Sequence, residues 1–105
     1  MGTQQHHAII VTTCDSITDV QTKAEAIGCV CVGPSEEQIN GYATLCIVPD
    51  GSKEWWPDSD AGNRRRAALR EWLKTTDHTW VEVAFGELGS SVVDGSDLHS
   101  DSERE

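Results

Sequence analysis

Along this chain the apolar positions change spacing several times, and each change predicts an element. The run His7-Ala8-Ile9-Ile10-Val11-Thr12-Thr13 is short and β-branched and reads as a strand. Both of its faces are apolar, which predicts a central strand. Ser16-Ile17-Thr18-Asp19 then matches a capping box, with Asp19 as a shorter stand-in for Glu. Ile17, Val20, Ala24 and Ile27 follow at helical spacing, and Gly28 falls where a left-handed C-terminal cap belongs. Cys29–Val32 predicts a second strand, ended by Gly33-Pro34. Asn40-Gly41 is a turn dipeptide that joins it in a hairpin to a third strand, Tyr42–Val48.

Pro49-Asp50-Gly51 closes that strand. Asp58, Ser59 or Asp60 can cap a second helix that runs to about Lys74, with Arg65 (through its stem), Ala68, Leu69, Trp72 and Leu73 as its buried stripe. Trp80–Phe85 alternates, which predicts Val81, Val83 and Phe85 on the core face. From Asp94 onward the composition predicts a solvated tail behind a single domain over residues 1–93. The order β-α-β-β-α-β predicts an α+β fold of the ferredoxin-like kind, with a four-stranded antiparallel sheet and two helices on one face. The fourth strand would be an edge, and Glu82 within it suits an edge.

Composition narrows the function classes. At 105 residues the chain is long enough for one two-layer core, and 37% hydrophobic with 25% charged residues is ordinary for a globule. The net charge is −10. Five acids against Arg104 lie from Asp94 to the end, so the body before them is acidic as well. That balance argues against direct nucleic-acid or anionic-membrane binding, which needs clustered Lys and Arg. It leaves a protein partner, or mimicry of a nucleic acid's charge. No apolar run is long enough to cross a bilayer, and the first residues lack the pattern of an export signal, which predicts reduced cysteines in a cytoplasm.

The candidate chemistry is thin. Cys14, Cys29, Cys31 and Cys46 with His6 and His7 lack the spacing of a zinc site, because Cys29 and Cys31 share a strand face without converging. No metal or cofactor is expected. Cys14, two residues before a helix cap, is the best-placed nucleophile, but no catalytic set accompanies it. Glu36 and Glu37 read as a solvated loop edge. Arg64, Arg65 and Arg66 fan around a helix, and at least one is expected to pair with the acids before it. No catalytic residues are assigned, and the chain is not expected to be an enzyme.

Trp55 and Trp56 admit two readings. In one, an indole covers the end of the sheet while its neighbour leans on Pro57 or an arginine stem. In the other, the outer indole anchors a partner, as Trp and Arg commonly do at interfaces. The partner-binding surface drawn from this comprises Trp55, Trp56, Asp58, Asp60, Arg64 and Arg65. Monomer and homodimer both stay open.

The tracts HHAIIVT (6–12), NGY (40–42), VPDGSKE (48–54) with Trp56 and Ser59-Asp60, and WVEV (80–83) followed by Phe85-Gly86 resemble a set of small bacteriophage-encoded proteins of unknown function. The resemblance spans residues 6 to 87. It implies a viral source and a host bacterial cytoplasm, and it supplies no catalytic residues. The function expected is a non-enzymatic accessory protein that binds a host protein. The alternatives are an acidic nucleic-acid mimic that inhibits a host DNA-binding or defence protein, and a small enzyme or ligand-binding regulator.

Overall fold

The structure is a computed structural model that describes residues 5–49 and 57–97. Its order is β1 (Gln5–Thr13), α1 (Ile17–Ile27), β2 (Cys31–Val32), β3 (Ala43–Ile47), α2 (Pro57–Leu73), β4 (Thr79–Gly86) and β5 (Gly89–Gly95). The strands form one antiparallel sheet in the order β2-β3-β1-β4-β5. The fold class is α+β. The sheet has five strands where four were expected, so β4 is an interior strand and β5 takes the edge.

β5 escapes the pattern because Ser90-Ser91-Val92-Val93 neither alternates nor runs apolar. It is carried by a tight turn instead. Gly86 pairs with Gly89 across Glu87 and Leu88, and both glycines hold positive φ (148° and 93°), which glycine adopts at no steric cost. The boundary expected at Asp94 therefore falls inside a strand.

One face of the sheet carries both helices. Ile9 and Val11 of β1, Leu45 and Ile47 of β3, and Trp80 of β4 pack against Val20 and Ala24 of α1 and Leu69 and Leu73 of α2. At about 1.5–3 kcal/mol for each large side chain removed from water, this single cluster supplies the main drive for folding. β1 is central, as its apolar run predicts.

Four expectations need correction. On β4 the buried residues are Trp80, Glu82 and Ala84, while Val81, Val83 and Phe85 face the other way. The pattern misleads because both faces of β4 are largely apolar. The α2 stripe is turned: Gly62, Arg66, Leu69 and Leu73 are buried, whereas Arg65 and Ala68 are exposed and Trp72 is half-buried. Ser16 does not act as a capping box; its backbone is left-handed (φ 61°) and its hydroxyl donates to Asp15 Oδ1 at 3.0 Å. Asp58 and Asp60 fall within the first turn of α2 instead of ahead of it.

Gly28 does cap α1 with φ 107°, its N–H donating to Ala24 O and Glu25 O. The hairpin through Asn40-Gly41 also forms, with φ of 61° and 76° there, although β2 is reduced to Cys31–Val32.

Candidate functional site

The sequence-derived surface is only partly in view. Trp55, Trp56 and the side chain of Asp58 lie outside the described residues. Asp60, Arg64 and Arg65 are exposed, and among the described residues no ion pair joins an arginine to Asp60. Arg66 turns inward to Glu82 instead, because a carboxylate buried on the sheet attracts it more strongly than a solvated acid on its own helix.

Glu82 is the centre of a cluster that the pattern hides. Its side chain is 1% exposed. It accepts a hydrogen bond from Arg70 Nη1, and Arg66 Nε lies 3.5 Å from Oε2. Buried His7 Nδ1 also stands 3.5 Å from Oε2. Asp94 of β5 is directly opposite Glu82 in register, a like-charge contact that is unfavourable alone. Arg70 lies between them, with Nε 3.7 Å from Asp94 Oδ2, and Lys74 Nζ approaches the same oxygen at 4.0 Å. Asn63 accepts from Arg66 Nη2. The cluster clips α2 onto β4, β5 and β1. Its carboxylates are answered by cations, which suits a structural clip better than an acid–base pair.

The opposite sheet face bears no helix. The register defines its rows. His6, Phe85 and Ser90 form one row, with the His6 and Phe85 rings 5.4 Å apart. Ala8, Val83 and Val92 form the next. Val32, Cys46, Ile10, Val81 and Gly95 form the third, and Thr44, Thr12 and Thr79 the fourth. The Thr12 and Thr44 hydroxyls pair at 2.9 Å. These rows contain no Asp, Glu, Lys or Arg, in a chain whose residues are 25% charged. Ile10 is 37% exposed, Phe85 41%, Val32 61% and Val92 62%.

Charge is distributed unevenly around that face. Every described lysine and arginine sits on α1, on α2 or, as Lys74, directly after α2. Lys74 aside, the charged side chains of the strand connections among the described residues are exposed acids: Asp15, Glu36, Glu37, Asp77 and Glu87. The sheet side thus presents an apolar field whose strand rows hold no charged residue, with the Asp97 carboxylate over Gly95 at its β5 edge and exposed acids in the described connections.

Among the cysteines, Cys14 is exposed and Cys29, Cys31 and Cys46 are half-buried, all as free thiols. Burial pushes the Cys29 thiol up in pKa, against the opposing pull of Arg65 and Arg66. Burial likewise raises Cys31. A raised thiol pKa means less thiolate, the reverse of what a nucleophile requires. Among the described residues, no three His, Cys, Asp or Glu side chains gather as metal ligands, and no helix is long and apolar enough to cross a membrane. Comparison with protein-family models, curated proteins and solved structures finds no match to this chain.

Proposed function

We propose that this chain is a small non-enzymatic protein-binding module that docks its partner on the helix-free face of the sheet. The observation that supports this is that four rows of strand residues on an exposed face include no charged residue, with Asp97 reaching over only the Gly95 end. Loss of charge with retention of apolar and aromatic groups is the compositional mark of an interface centre. A contiguous exposed apolar patch on a soluble domain commonly marks an interaction site.

The border chemistry selects the occupant: a protein with an apolar strip flanked by lysines and arginines. Opposite charges at the rim speed encounter and fix orientation. A second copy of this chain would set acidic borders against each other. We read the first four strands, with a helix after the first and third, as a ferredoxin-like unit extended by β5; that scaffold hosts many functions and implies none. The resemblance of several tracts to phage-encoded proteins points to a bacterial host protein as the partner. A nucleic-acid mimic has less support, since the strand rows of the open sheet face include no Asp or Glu.

Site-specific photo-crosslinking in bacterial cells tests the reading. A benzophenone side chain at Thr12 or Val92 should capture one discrete protein through a peptide rich in Lys and Arg, and the same group at exposed Ala68 on α2 should not. Capture of a second copy from the sheet positions, or equal capture from Ala68, would overturn it.

A further inference from the structure

On the helix side, away from that docking face, a second feature has the makings of a ligand site. A cleft of about 330 Å³ opens between the end of α1, the β2–β3 pair and the first half of α2. That volume lies at the lower end of the range for small-molecule sites, roughly 300–1,000 Å³. Val30, Ile47, Val48 and Pro49 supply apolar walls, and Arg65 and Arg66 supply the charge. Among the described residues no carboxylate lines it.

The two arginines differ in what they can offer. Arg66 is held by Glu82 and Asn63. Arg65 has no ion-pair partner among the described residues, and it lies across Gly28, where a Cβ would come within 3.3 Å of its Nε. Both guanidinium charges reach the Cys29 thiol at the cleft wall. The negative end of the α1 dipole also points this way, and two of its four terminal carbonyls are bonded: Ala24 O accepts from Gly28 and Cys29, and Glu25 O accepts from Gly28. A locally positive, apolar-walled cleft therefore exists in a protein of net charge −10.

We infer that this cleft binds a small organic monoanion with a flat apolar body, a carboxylate being the simplest case. The apolar part lies against Val30, Val48 and Pro49, and the anionic group meets Arg65. An arginine fork suits a planar carboxylate through paired N–H donors. A polyanion such as a nucleotide is disfavoured, because one uncommitted guanidinium cannot answer several phosphate charges.

Amide NMR titration with 2-naphthoate as the probe, and 2-naphthol as its uncharged counterpart, tests this. Naphthoate should shift Gly28–Val30, Ile47, Val48, Gly62 and Arg65 in a saturable way. Naphthol should bind at least tenfold more weakly. Arg65→Gln should weaken naphthoate binding at least fivefold, with the amide spectrum elsewhere unchanged. Equal affinity for the two probes in the wild-type protein would overturn the inference. So would shifts confined to Ile10, Val83 and Phe85 on the open face, or no saturation at millimolar probe.

Discussion

At Glu82 a single carboxylate decides how the second helix is seated. Truncation to alanine leaves Arg66, 8% exposed, and part of Arg70 without a counter-charge in a dry setting. Glu82→Ala should therefore cost about 3–5 kcal/mol, read as a lower urea midpoint. Glu71→Ala, which removes an exposed partner of Lys74, should change stability by less than about 1 kcal/mol. Comparable losses from the two variants would contradict the clip.

The cysteines give a pH prediction at the same scale. A thiol whose folded pKa is raised contributes stability that is fully present below its unfolded value and is lost as pH rises through the folded value. Cys29 and Cys31 should thus make the fold less stable as pH climbs beyond the ordinary thiol value of 9.0. The slope of stability against pH above that point should flatten in the double variant Cys29→Ala, Cys31→Ala. At fixed alkaline pH both thiols should also alkylate faster in urea than in the fold.

The elements differ in how fully the pattern betrays them. β1 was legible as an unbroken β-branched run, and α1 as a single stripe at helical spacing that Gly28 stops. The phase of β4 was not, because Trp80 and Ala84 on one face and Val81, Val83 and Phe85 on the other offer two apolar sets. The choice between them goes with the pairing of Glu82 to Arg66 and Arg70 on the preceding helix, which the period of the strand alone does not carry. β5 was hidden because its pairing rests on a glycine-bounded turn and on Asp94, and both read as tail chemistry. Trp55 and Trp56 fall outside the described residues, whereas the open sheet face could have been found only once the register was known.

Sheet order also sets a hierarchy of opening. Backbone amides of β1, flanked by β3 and β4, should exchange with solvent most slowly, and those of β2 and β5 fastest. Hydrogen exchange that ranks β5 with β1 would mean the five-stranded order is wrong. At the α1 terminus, Gly28→Ala should cost about 1–2 kcal/mol, because a Cβ is unfavourable in left-handed backbone. It should also displace Arg65, while Gly41→Ala (φ 76°, nothing within 4 Å) should show only the backbone cost.

Taken whole, the molecule is polarised between two layers. Its described cations lie on the helix side, partly drawn inward to Glu82 and Asp94, and the strand rows of its open sheet face include no charged residue, with Asp97 over the Gly95 end. That arrangement makes the docking account specific: a lysine on the open face should harm binding far more than folding. The most direct measurement is calorimetric titration of the crosslinked protein, once purified, against wild-type chain and the Ile10→Lys variant. The account predicts at least a tenfold loss of affinity, about 1.4 kcal/mol, with the urea midpoint little changed. Undiminished affinity in the folded variant would contradict it.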